Sequence, residues 1–163
     1  MKRHIILLIA FVLMSAQLFA QTPVYLTKAY KPVESDRYTA YSSLEIQGGD
    51  TWNNCFTLGV INNYHGYATF NIGGKYESIS FILGAEKSNG GNDPNIVQIH
   101  ADGKRIFDHV LRDGDLGQQF TLNISGVDKL EFSLVKPEVE AAFCEVALWT
   151  KGQTPHDLRG KHD

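Results

Sequence analysis

Serine, histidine and paired carboxylates are the usual carriers of catalysis, and none of them falls into a catalytic spacing in this chain. Ser88 stands in the run KSNGGNDPN, without the strand-turn-helix setting that lifts a nucleophile out of a fold. His65, His100, His109, His156 and His162 are scattered, with no pair at a metal-ligand interval. Carboxylates are abundant, but nothing in the sequence sets two of them across a glycosidic bond. The residues argue against an enzyme.

Recognition without chemistry needs a different inventory. A pyranose offers an apolar CH face and a rim of hydroxyls, so its site combines an aromatic platform with planar amides, carboxylates or a guanidinium. Three polar stretches carry that mixture: Asp50-Thr51-Trp52-Asn53-Asn54, Asn62-Asn63-Tyr64-His65, and Asn89 to Asn95. The candidate ligand-binding residues are Trp52, Asn54, Tyr64, His65, Asn92 and Asp93. Each also has a plainer role open to it. Trp52 beside Cys55 would cap the core, Tyr64 and His65 would furnish a turn, and Asn92 and Asp93 would brace a loop through side-chain to backbone hydrogen bonds.

Such groups need rigid elements to present them, and the apolar pattern supplies strands. Tyr67 to Ile72, Ile96 to Ala101, Phe120 to Ile124 and Leu130 to Leu134 alternate apolar with polar residues, the period of a sheet with one buried face. Gly73-Gly74 leads into Tyr76 to Leu83, Asp102-Gly103 is a hairpin signal, and Phe56 to Ile61 and Ala142 to Trp149 complete about eight strands. Trp149 alternates with the core positions of the last strand and is expected to pack. No helical period competes, and no internal repeat or linker to a second domain is seen. These features predict an all-β fold, a β-sandwich of the jelly-roll type.

Bulk properties narrow the setting. Lys2, Arg3 and His4 precede an apolar run from Ile5 to Met14, and Ala20 precedes Gln21, which reads residues 1–20 as a secretory signal peptide. That run is far shorter than the roughly twenty residues of a membrane span, so no membrane insertion is expected after cleavage. The whole chain has 15 basic against 18 acidic residues, and removing Lys2 and Arg3 leaves a formal net charge of −5. Neither nucleic acid nor an anionic membrane suits that balance. Cys55 and Cys144 both lie in the exported part, where a disulfide and two separate buried thiols are both open. Residues 151–163, ending in TPHDLRGKHD, read as a polar, disordered tail.

The order of four segments carries a resemblance. IQGGDTWNNCFTLG, YATFNIGGKYESISFILG, NIVQIHADGKRIFDHVL and LNISGVDKLEFSL follow one another between Ile46 and Leu134. Together they resemble the NPCBM domain, related to carbohydrate-binding module family 51, over residues 24–150. The resemblance implies a galactose-binding-domain-like sandwich that recognises a glycan, by analogy a galactose-containing one, through loops at one edge. It implies periplasmic or extracellular work and a separate glycoside hydrolase as partner. It admits one calcium ion as cofactor, although no Asp-rich loop demands one and no ligand is assigned. The family's ligand contacts lie in variable loops, so no site residue carries over by motif. The competing reading is a structural or protein-protein interaction module of the cell envelope that binds no sugar.

Overall fold

A computed structural model of the chain describes residues 22–61, 64–86, 93–136 and 138–159. The segment read as a signal peptide, the candidate Asn92 and the last four residues lie outside that set. Among the described residues the chain forms thirteen strands and one four-residue helix, α1 (Leu26–Ala29). The strands are β1 (Val24–Tyr25), β2 (Glu34–Asp36), β3 (Tyr38–Glu45), β4 (Thr51–Leu58), β5 (Val60–Ile61), β6 (Tyr64–His65) and β7 (Tyr67–Asn71). After these come β8 (Ser78–Ala85), β9 (Asn95–Ala101), β10 (Lys104–Leu111), β11 (Gln118–Asn123), β12 (Lys129–Leu134) and β13 (Ala141–Trp149).

Two antiparallel sheets face each other. One has the order β11-β8-β13-β4-β3, with β1 paired to the far part of β13, and the other runs β10-β9-β12-β7-β2. The expected β-sandwich is thus the architecture found. Alternation did the sorting: β9 and β12 bury every second residue, and those residues meet the inner face of the first sheet. Phe56 stacks on Phe143 with ring centroids 4.9 Å apart and meets the edge of Phe132 at 5.2 Å. Five phenylalanines, Phe56, Phe70, Phe81, Phe132 and Phe143, fill the space between the layers.

The first sheet is apolar on its outer face as well. Ile46, Trp52, Cys55, Ile82, Ala142, Cys144, Ala147, Trp149 and Leu158 form a second cluster there, which explains why all nine residues of β13 are buried. Part of the cover is the β3–β4 hairpin, whose tip reaches β8. Ile46 bridges Glu86, and the Gln47 N–H donates to the Ala85 carbonyl at 3.2 Å. Thr51 to Asn54, within the stretch expected to act as a binding loop, is therefore the start of β4, paired to β3 across Leu44↔Trp52.

The C-terminal segment supplies the rest of the cover. Residues 151–163 were expected to be loose, yet up to Arg159 they lie on the sheet. The Leu158 N–H donates to Gln119 Oε1 at 2.8 Å, Gln119 Nε2 donates to the His156 carbonyl at 3.1 Å, and the Leu158 side chain is buried. Trp149, packed as expected, donates from Nε1 to Ser80 Oγ at 2.8 Å and meets the His156 ring edge-on. A large outward-facing indole needs such a cover, and one Leu in a polar run gave little sign of it.

Cys55 and Cys144 are joined by a disulfide between the paired strands β4 and β13, across 89 residues of sequence. Of the two readings left open by the sequence, the bridge is the one realised.

Candidate functional site

Where β4 ends, the chain makes a close crossing. Gly59 separates β4 from β5, its N–H donates to the Arg37 carbonyl at 2.9 Å, and its carbonyl accepts from the Gly66 N–H at 3.0 Å. A Cβ on Gly66 would sit 2.9 Å from the Gly59 oxygen, so only glycine fits there. This crossing sets the short β5–β6 hairpin beside Arg37, which itself has a left-handed backbone at φ 52°. The guanidinium carbon lies 5.8 Å from the Tyr64 ring centroid, a cation–π contact, and Nε is 3.7 Å from Asp36 Oδ2.

Beside Arg37 lies a hollow of about 260 Å³. Its walls are Arg37, Thr39 and Tyr41 from the β3 side, Thr57, Gly59 and Val60 from the β4–β5 corner, and Glu86 and Glu140 from the ends of the central strands. The two glutamates are tied together. The Glu86 N–H donates to the Glu140 carbonyl at 3.1 Å, the Val60 N–H donates to Glu140 Oε1 at 3.4 Å, and the two carboxyl groups share a hydrogen bond. Burial pushes the Glu86 carboxyl up to about 7, reinforced by the hydrogen bond to Glu140 and by repulsion from its charge. Near neutral pH this pair both donates and accepts hydrogen bonds, next to a guanidinium that only donates.

The residues expected from sequence separate at this point. Tyr64 and His65 do not line the hollow but each adjoins a residue that does: Tyr64, largely exposed, lies against the Arg37 guanidinium, and His65 pairs through its backbone with Val60. Trp52 does not join them. It is 4% exposed beneath the β3–β4 hairpin, where a Cβ on Gly117 would lie 3.6 Å from its Nε1, so the core-capping role is the one its geometry fills. Asn54 is also buried and donates from Nδ2 to Glu145 Oε2 at 3.4 Å, facing the strand partner rather than solvent. Asp93 is exposed just ahead of β9 and does not line the hollow. Arg37, Tyr41, Thr57, Glu86 and Glu140 escaped the sequence reading, because chain segments remote from one another bring them together. Among the described residues no group of three or more His, Cys, Asp or Glu is placed to hold a metal ion, and no helix is long and apolar enough to cross a membrane.

The two-sheet antiparallel sandwich is the architecture of the galactose-binding-domain-like carbohydrate-binding modules. The chain belongs to the NPCBM/NEW2 domain family, whose pattern it matches over residues 15–153. No curated protein matches it in sequence. Among solved structures it is similar to the CBM51 from Clostridium perfringens GH95 in complex with methyl-galactose, with a TM-score of 0.61, 12% identity, and coverage of 78% of this chain and 99% of that one. It is also similar to the Clostridium perfringens ZmpB structure of CBM51-2 in complex with GlcNAc and INT domains, with a TM-score of 0.61, 8% identity, and coverage of 78% of this chain but 31% of that one. The tandem CBM51 modules of a family 98 glycoside hydrolase from Streptococcus pneumoniae give a TM-score of 0.64 at 12% identity, with coverage of 85% of this chain and 50% of that one. At these identities the likeness is one of fold.

Proposed function

We propose that this protein is an exported, non-catalytic carbohydrate-binding module that takes one sugar unit of a glycan in the hollow beside Arg37. The observation that carries this reading is the hollow that brings Arg37, Glu86 and Glu140 together, with the exposed Tyr64 ring next to it against Arg37. That set offers a ring face for a pyranose, a planar donor for neighbouring hydroxyls, and carboxyl groups that donate or accept as needed. A volume of about 260 Å³ suits one sugar ring rather than a longer stretch of chain. Galactose is the first sugar to test, since a similar module is known with methyl-galactose bound. The apolar leader and the buried disulfide support export to the periplasm or beyond. A separate glycoside hydrolase fits as partner, the module holding the enzyme near its glycan.

Binding is expected to be weak, millimolar to micromolar, because each hydroxyl exchanges water for a protein partner. Calorimetric titration with methyl-galactose and N-acetylglucosamine, followed by a broad glycan panel, tests the reading. Arg37→Ala and Tyr64→Ala should each weaken binding about tenfold or more, the loss of one charge-assisted hydrogen bond or one aromatic contact. Saturable binding untouched by both substitutions, or none across the panel, would overturn it.

A further inference from the structure

A second hollow lies on the other sheet, at the other end of the molecule. β9 starts at Asn95, whose Nδ2 donates to the Val139 carbonyl just before Glu140, and it ends at Ala101. His100 and the Asp102-Gly103 turn are therefore carried away from the Arg37 site. There a depression of about 640 Å³ opens among Asn71, His100, Asp102, Asp128, Lys129 and Glu131, sharing no residue with the first hollow. Its volume falls within the range of about 300–1,000 Å³ usual for small-molecule sites.

The walls are fixed. The Asp102 carboxylate accepts the N–H groups of Asp128 at 3.2 Å and Lys129 at 2.8 Å, and the Asp102 N–H donates to the Lys129 carbonyl at 2.9 Å. The Ile72 N–H donates to the Asp128 carbonyl at 2.7 Å, which adds the turn after β7 to the same unit. His100 Nδ1 lies 3.8 Å from Glu131 Oε1, an ion-pair distance that stops short of a hydrogen bond. Among the described residues the Asn71 amide, the Asp128 carboxylate and the Lys129 ammonium make no side-chain hydrogen bond or ion pair. Three tied turns thus present an amide, an ammonium, an imidazole and two carboxylates with donor and acceptor capacity to spare.

We propose that this hollow is a second saccharide site, taking an uncharged sugar edge-on through its hydroxyls. The inference rests on the carbohydrate-binding reading above. No Phe, Tyr or Trp ring lines the depression, so recognition comes chiefly from hydrogen bonds to hydroxyl pairs rather than from stacking. Asp102, Asp128 and Glu131 outnumber Lys129, so a uronic acid is repelled while a neutral sugar is not. Two sites on opposite sheets let one chain bridge two glycan strands, which raises retention on a polymer without tightening either site.

Amide-resolved NMR of the labelled protein, titrated separately with methyl-galactose, N-acetylglucosamine and galacturonate, tests this. The expected result is two separate groups of shifting amides with a neutral sugar, one around Arg37 and Val60, the other around Gly103, Lys129 and Glu131. The second group should stay still with galacturonate. It should vanish in the Lys129→Ala, Glu131→Gln variant, whose first group and melting temperature stay as in the parent. Shifts confined to the Arg37 side overturn the second site and leave the first reading standing. An equal response to galacturonate overturns the proposed selectivity, and silence at both hollows ends both readings.

Discussion

Glu145 on β13 holds Asn54 on β4 at the point where both strands leave regular geometry. Asn54 has φ 51° and Glu145 φ 48°, a left-handed backbone that Asn tolerates but that is rare for Glu. One Glu145 oxygen accepts the Asn53 N–H at 3.2 Å and the other accepts Asn54 Nδ2 at 3.4 Å. β13 shifts register against β8 between Cys144 and Ala147, and at this bulge the β3–β4 hairpin turns across the outer face. The carboxylate thus fastens the crease that puts Trp52 into the outer cluster.

Glu145→Ala should therefore cost about 1–3 kcal/mol, the penalty of leaving a buried N–H and amide without an acceptor. Glu145→Gln, which keeps one acceptor oxygen, should lose less. Urea unfolding of the three proteins measures both differences. An Ala variant as stable as its parent would show that water or a neighbouring group replaces the carboxylate.

Reducing the Cys55–Cys144 bridge should destabilise the fold by about 4.6 kcal/mol on a chain-entropy treatment of a loop this long. The two cysteines are 89 residues apart in sequence and fully buried. Reduction should therefore be slow under native conditions and fast once the protein opens. Comparing the parent with Cys55→Ser, Cys144→Ser by urea unfolding, with and without reductant, gives the magnitude. The double variant should match the reduced parent.

The sandwich was legible in the sequence because alternation reports a sheet with one wet face, as in β9 and β12, where pleat and burial coincide. The outer cluster was not. Trp52 and Asn54 in a polar, Asn-rich stretch look like a loop, and only the pairing of β4 with β3 and the grip of Glu145 turn them inward. β3 itself was hidden, since as an edge strand it leaves much of both faces exposed and shows no clean period. Beside the hollow, Tyr64 and His65 were visible from local composition. Arg37, Glu86 and Glu140 had no local signature, because their meeting is set by strand order rather than by spacing.

Trp52 and Tyr64 should behave in opposite ways on truncation. Trp52→Ala removes a buried indole from the outer cluster and should cost about 3–5 kcal/mol, with sugar binding by the folded fraction kept. Tyr64→Ala removes a ring that is 65% exposed and should leave the unfolding midpoint within about 0.5 kcal/mol of the parent while weakening the sugar. Thermal melts paired with the calorimetric titration separate the two. Loss of affinity in fully folded Trp52→Ala would put the indole back at the ligand.

The glutamate pair gives the fold a pH dependence with a definite sign. Glu86 is raised from 4.5 to about 7, chiefly by burial and then by its hydrogen bond to Glu140. Between those values the folded chain keeps a proton that the unfolded chain has released. The resulting stability is fully present below about 4.5 and is lost as pH rises through about 7. His109 works against it. Burial lowers its value below 6.5, so its contribution is present above 6.5 and is lost as pH falls through the folded value. The parent curve alone mixes the two. The difference in urea stability between the parent and Glu86→Gln, followed from pH 4.5 to 8, cancels His109 and isolates the carboxyl. That difference should favour the parent progressively less as pH rises, levelling off above pH 7. A flat difference would mean that Glu86 titrates in its ordinary range and that the two carboxyl groups do not share a proton.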